Sequence, residues 1–308
     1  MPFFNTVSSS PLINFISYLK KNCLDKIKNI TIAGAFNKPI TLDIFFENDT
    51  AKKPVIVYAH GFNGFKDWGN FDLIANTFAS RGFTMIKFNF SHNGTTPLNP
   101  EEFVDLEAFG NNNYSKQLED LKQVINWIVD PGNPYQQAFN INYIGLIGHS
   151  MGAGIATLFA AEDTRIKALV TWAGVNECKT PWGNWTKEKM GAWKDLGVQY
   201  YTNTRTNQQM PLYYQLYEDF KKNINRLDIK EAIKKLHIPI LICHGSLDIA
   251  VPVEKAYELK EWQPAAELYI VESNHVFDRK HPWIMNFLPE AMEAVVSKTI
   301  DFLNIGHP

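Results

Sequence analysis

The chain has 308 residues, 45% of them apolar and 20% charged, a globular composition long enough for one large domain or two ordinary ones. Its 30 basic and 32 acidic residues leave a formal net charge of -2, which excludes long-range attraction to nucleic acid or an anionic membrane. No apolar run approaches the roughly 18 residues of a membrane span, and "MPFFNTVSSSPLINFISYLKKNC" has no basic stretch before its apolar residues, so a soluble, unexported, cytoplasmic protein is expected.

Two β-rich segments come first, residues 29–34 and 40–48, and the second alternates in part, as in an antiparallel hairpin at a sheet edge. Six short, near-continuous apolar runs follow at 54–61, 84–90, 141–148, 167–174, 238–245 and 267–273, a pattern suited to strands buried on both faces. Helical patterns lie between them. "FDLIANTFASRG" stops at a glycine suited to a C′ cap, and "YSKQLEDLKQVINWIVDPG" gathers Leu118, Leu121, Val124, Ile125 and Ile128 on one face before Pro131. "MGAGIATLFAAE", "VEKAYELKEW" and "MEAVVSKTIDFL" supply three more. This alternation predicts right-handed βαβ crossovers and an α/β fold: a mostly parallel eight-stranded sheet with helices on both faces.

One stretch breaks the alternation. Residues 176–236 contain no clear buried strand but hold Trp182, Trp185, Trp193, Tyr200, Tyr201, Tyr213, Tyr214, Tyr217 and Phe220. A structureless loop of that length is implausible, so the segment is expected to be an inserted helical cap between core regions 1–175 and 237–308. Its aromatics could line an apolar pocket or form the insert's own small core.

Gly148-His149-Ser150-Met151-Gly152 matches G-x-S-x-G, with a strand-like run before it and a helix-like run after it. That context is a nucleophile elbow, a sharp strand-to-helix turn that lifts a serine hydroxyl out of the sheet. Together with "HGFNG", "HGSLDIAVP" and "SNHVF", "GHSMGA" resembles the α/β-hydrolase superfamily from about residue 28 to residue 303. The likeness is greatest to serine hydrolases of the prolyl oligopeptidase, serine aminopeptidase and cinnamoyl/feruloyl esterase branches, and implies the α/β-hydrolase fold.

A serine needs a base to take its proton and an acid to orient that base, in the chain order Ser, Asp, His. Asp248 and His275 follow the last two core strands, so the expected catalytic triad is Ser150, Asp248 and His275. Asp248 could instead merely cap the helix that Pro252 is placed to begin. His60, His149, His244, His92 and His281 are weaker rivals as base. The oxyanion donors implied by the resemblance are the backbone N–H groups of Met151 and Phe62. Phe62, Asn63, His149, Trp182 and Trp185 are the candidates for substrate contact. Where many relatives carry Gly-x-Gly-x-Ser after the next strand, this chain has "SHNGTT" at 91–96.

The resulting expectation is a serine carboxylesterase acting on a small acyl or aryl ester through an acyl-enzyme. An aminopeptidase-like amide hydrolase, an acyltransferase or perhydrolase on the same triad, and a non-catalytic binder are the alternatives. No metal or organic cofactor is called for, and the oligomeric state, with a homodimer among the options, stays open. Cys23, Cys178 and Cys243 have no metal-ligand spacing, and Cys243 reads as a small buried hydrophobe.

Overall fold

The structure is a computed structural model that describes residues 24–49 and 51–305; Cys23 and the N-terminal stretch quoted above lie outside the described residues. In chain order the elements are β1 (Leu24–Ala33), β2 (Pro39–Glu47), β3 (Lys53–Ala59), α1 (Phe71–Ser80), β4 (Thr84–Asn89), α2 (Leu106–Gly110), α3 (Tyr114–Val129), β5 (Phe139–His149), α4 (Met151–Glu162) and β6 (Ile166–Trp172). Then follow α5 (Lys187–Leu196), β7 (Val198–Thr202), β8 (Gln209–Tyr213), α6 (Gln215–Lys222), α7 (Ile229–Lys234), β9 (Ile240–Gly245), α8 (Glu254–Trp262), β10 (Glu267–Val271) and α9 (Glu290–Ile305).

Eight strands form one sheet in the order β1-β2-β4-β3-β5-β6-β9-β10. β1 and β2 pair antiparallel, β2 meets β4 antiparallel, and every later pairing is parallel. Alternation along β3 explains the two layers. Val55 and Val57 pack with Leu121, Val124, Ile155 and Leu259 of α3, α4 and α8, whereas Ile56 and Tyr58 pack with Ile74, Phe78, Val295 and Leu303 of α1 and α9. Gly82, at φ +86°, follows α1 as the expected cap, and α3 ends at Val129 ahead of Pro131. Cys243 is fully buried in β9. Among the described residues, no helix is long and apolar enough to cross a membrane.

The segment between β6 and β9 departs from the all-helical expectation. It contains an antiparallel hairpin, β7 paired with β8, besides α5, α6 and α7. Its strands, "VQYYT" and "QMPLY", interleave polar and aromatic residues, so they lack the continuous apolar signature of the core strands. The turn closes through Asn203 N–H to Gln208 O at 2.9 Å, with Asn207 at φ +57°. Trp193 of α5 is fully buried and donates its indole N–H to Leu212 O at 2.7 Å, fixing that helix on the hairpin. α7 packs against α4 and α8 in the helical layer. A second local difference concerns Pro252: α8 begins at Glu254, leaving Pro252 just before the helix, where its carbonyl accepts the Lys255 N–H at 2.9 Å.

The loop from β3 to α1 is held by a buried charge network. Lys66 and Lys87 are fully buried, and Lys66 Nζ bonds Asp43 at 2.7 Å and Asp67 at 2.5 Å. Lys87 Nζ bonds Asp67 and, at 2.5 Å, Asp72, while Lys28 closes the cluster on Asp67 at 3.0 Å and Asp72 at 3.1 Å. Three lysines thus neutralise three aspartates. Burial pushes the Asp67 carboxyl upward, and Lys87 and Lys66 outweigh that, holding it well below its ordinary 3.8. Removing one partner of a buried network strands the others, so Lys87→Met should cost about 3–5 kcal/mol of stability. Because Asp67 is depressed in the folded state, the network's contribution is present above pH 3.8 and fades as pH falls below it. Thermal melts should therefore show the gap between wild type and Lys87→Met narrowing from pH 7 to pH 3; a gap independent of pH would refute the electrostatic account.

Candidate active site

β5 ends at His149, α4 begins at Met151, and Ser150 stands between them at φ 55°, ψ -121°, a conformation sparsely populated by any residue except glycine. The flanking glycines permit close approaches that side chains would forbid. A Cβ on Gly148 would lie 2.4 Å from the Gly152 carbonyl, and one on Gly152 would lie 2.4 Å from the carbonyls of both Ala59 and His60. The Ser150 N–H donates to Trp172 O at 2.9 Å, tying the turn to β6.

Asp248 follows β9 and His275 follows β10. His275 Nδ1 and Asp248 Oδ2 are 2.7 Å apart, so the ring donates its Nδ1–H to the carboxylate and leaves Nε2 free to accept a proton. The other oxygen of Asp248 accepts the N–H groups of Ala250 and Val251, both at 2.9 Å. One oxygen of Asp248 thus holds its own turn and the other meets the imidazole, while α8, with Val253 at its N-cap, receives no cap from this carboxylate. Burial pushes this carboxyl upward, and hydrogen bonding to His244 and His275 outweighs it, leaving Asp248 well below the usual carboxylate range. Of the two imidazoles His275 is the closer, since His244 Nε2 lies 3.3 Å from the carboxylate and 2.8 Å from Val251 O.

The loop after β3 closes over the elbow. A Cβ on Gly61 would sit 2.9 Å from Ser150 Cβ, which puts the backbone between His60 and Phe62 in contact with the serine. The loop is supported from "SHNGTT": Asn93 Nδ2 donates to Gly64 O at 3.3 Å, and Asn93 Oδ1 in turn accepts the Thr95 hydroxyl at 2.7 Å. Ser150, His275, His149, Phe62 and Asn63 line one cavity of about 180 Å³, walled by Tyr58, Phe65, Trp68, Val276 and Arg279. It opens at the carboxyl ends of the parallel strands, where open α/β sheets place their ligand sites.

A family model described as alpha/beta hydrolase fold matches residues 54–197, which hold β3, the elbow and the start of the insert. The chain has the α/β-hydrolase fold. Among solved structures it is similar to Est1E from Butyrivibrio proteoclasticus with ferulic acid bound, at TM-score 0.65 and 16% identity over 90% of this chain and 98% of that one. It is also similar to the alpha/beta hydrolase GrgF from Penicillium sp. sh18, at TM-score 0.64 and 18% identity over 92% of this chain and 99% of that one. A curated relative, an uncharacterized 31.7 kDa protein in the traX-finO intergenic region of Escherichia coli, is 31% identical over 120 residues. That match spans 39% of this chain and only 37% of the relative's length.

Within this α/β-hydrolase frame, the rival histidines are all otherwise engaged. Burial drives His60 down to about 4, and its Nδ1 lies 2.9 Å from Gly61 O. His149 is likewise pushed well below its ordinary value by burial, with the charges of His275 and Arg279 acting the same way. Its Nε2 lies 2.9 Å from His275 O, a carbonyl that can only accept, so His149 donates and steadies the histidine loop. His92 is lowered to about 4 by burial and contacts Ser91 at 2.7 Å. His281 accepts the Gly69 N–H at 3.1 Å and stacks on Trp68.

Trp182 and Trp185 do not reach the cavity. Trp182 packs against Tyr114, Trp193, Tyr217 and Phe220, and Trp185 against Trp193, so the insert's tryptophans form its own aromatic core. From the insert, Tyr201 of β7 meets the cavity wall: its hydroxyl donates to Asn63 Oδ1 and its ring lies 5.7 Å from Phe62. Arg205, in the turn between β7 and β8, lies over the Phe65 ring at 5.5 Å. Tyr200-Tyr201 in a polar-aromatic alternation was the available signal for this hairpin. For Trp68 and Arg279, which also line the cavity, neither "FKDWG" nor "FDRKHPW" has a spacing that announces a site.

Proposed function

We propose that the protein is a serine hydrolase that cleaves carboxylic esters, with a small acyl or aryl group held beside Ser150. The observation that carries this reading is the 2.7 Å bond from His275 to Asp248 at the edge of the cavity that Ser150 lines. His275 Nε2 takes the Ser150 proton as Oγ attacks the ester carbonyl, and Asp248 stabilises the imidazolium that forms. The backbone N–H groups of Phe62 and Met151 receive the oxyanion of the tetrahedral intermediate. His275 then protonates the leaving alcohol and activates the water that frees the acyl group.

Esters are favoured over peptides by the size and lining of the cavity. About 180 Å³ walled by Tyr58, Phe62, Phe65 and Trp68 suits one short chain or one ring. The bound ferulic acid of Est1E, a neighbour in fold, agrees with an aryl group of that size. We assign the insert the role of a cap that meets the oxyanion loop through Tyr201 and Arg205. A panel of p-nitrophenyl esters from acetyl to long acyl chains, with methyl ferulate and an aminoacyl anilide, tests the reading. Short acyl or feruloyl esters should be turned over fastest; cleavage of the anilide with every ester refused would replace the esterase by a peptidase.

A further inference from the structure

The cavity wall contains a cation that the hydrolytic mechanism does not use. Arg279 is 4% exposed and lies four residues beyond His275 on the same loop. Its Nε donates to Val276 O at 3.2 Å, and its guanidinium carbon stands 5.4 Å from the Trp68 ring and 5.6 Å from the Phe71 ring. Nη1 is buried with no hydrogen-bond partner among the described residues. Burial disfavours the charge, the Tyr58 hydroxyl favours it, and no carboxylate of the described residues contributes.

Other arginines of the chain show what is missing. Arg165 is paired with Asp163 and Arg226 with Glu162, and both are partly exposed. A guanidinium withdrawn from water needs an anion or a full set of acceptors, and aromatic faces compensate only in part. Here the charge is placed in a wall shared with Ser150 and His275, so the compensating anion fits best as part of what the cavity binds.

We propose that Arg279 is the specificity residue of this cavity and that it binds a carboxylate carried by the ester substrate. The proposal rests on the serine-hydrolase reading. The planar guanidinium presents paired donors that match the two oxygens of a carboxylate, a geometry that an ammonium does not reproduce. The aromatic wall of Tyr58, Phe62, Phe65 and Trp68 covers the apolar linker between carboxylate and ester. A cavity of about 180 Å³ limits that linker to a few carbons or one ring. Two substrate types meet these terms: the half-ester of a short dicarboxylic acid, and the acyl ester of a short or aromatic hydroxy acid.

The test compares charged esters with neutral esters of the same shape. On the acyl side, p-nitrophenyl hemiglutarate is set against p-nitrophenyl 5-methylhexanoate; on the alcohol side, 4-acetoxybenzoate is set against 4-isopropylphenyl acetate. Wild type should prefer the charged member of one pair by roughly 100-fold in kcat/KM, chiefly through KM, because an unfilled buried donor penalises the neutral analogue. Arg279→Met should bring that ratio close to one, and Arg279→Lys, which keeps the charge but loses the fork, should retain an intermediate preference. A wild-type ratio near one in both pairs would overturn the proposal. So would a loss in Arg279→Met that lowers both members equally, the signature of a purely structural clamp on Trp68. Glutarate binding by calorimetry and fluorophosphonate labelling of Ser150 separate the two levels. Labelling without glutarate binding rejects the carboxylate site and keeps the hydrolase, whereas glutarate binding lost in Arg279→Met, without labelling, keeps the site and rejects the hydrolase.

Discussion

Replacing Ser150 with alanine should lower ester hydrolysis on the order of 10⁶-fold while leaving the fold intact. The size of the loss follows from the triad acting as a unit: without the nucleophile, what remains is the modest contribution of the oxyanion donors and of substrate binding. The fold should survive because Ser150 holds the turn through its backbone, with its N–H on Trp172 O at 2.9 Å and its carbonyl accepting the Ala153 N–H at 3.0 Å. Alanine keeps those bonds, although it must still adopt the φ of 55°. Measured on the best ester of the panel, a loss below about tenfold with an unchanged melting temperature would mean that another residue is the nucleophile.

Asp248→Asn should cost about 10⁴-fold in kcat, with stability barely changed. The introduced carboxamide would keep an oxygen for the Ala250 and Val251 N–H groups, both 2.9 Å from Oδ1 in the native turn. Its NH₂ group would face His275 Nδ1 where the carboxylate now accepts at 2.7 Å, favouring the tautomer with the proton on Nε2. A ring in that tautomer cannot take the serine proton. The carboxylate is held well below its ordinary range, so acidification to pH 5 should not reproduce the Asp248→Asn defect in wild type. Equal losses in kcat and in melting temperature would reassign Asp248 to the turn alone.

Much of this was legible in the sequence because the central parallel strands are buried on both faces and are therefore largely apolar. Each apolar run became a sheet strand to within a few residues, "PVIVYAHG" as β3 and "IPILICHG" as β9 among them. Ser150, Asp248 and His275 could be placed together because each lies at the carboxyl end of such a strand, so their proximity follows from the order of the sheet.

The features that stayed hidden depend on long-range pairing. The β7–β8 hairpin rests its strands on the insert's aromatics, and Trp182 faces Tyr114 of α3 instead of the cavity, a direction that composition does not encode. Lys87, within "TMIKFNF", is a charged residue in an otherwise apolar strand, which only Asp43, Asp67 and Asp72 explain. Arg279 is harder still, since its lack of a carboxylate partner among the described residues is a property of the whole fold around it.

Everything proposed for the reaction requires Ser150 to be an activated nucleophile. A fluorophosphonate probe followed by peptide mass spectrometry tests this most directly. One adduct per folded chain is predicted, carried by the Ser150 side chain, absent in Ser150→Ala and formed much more slowly in His275→Ala. Folded wild type that takes up no probe, or an adduct on a different residue, would contradict it.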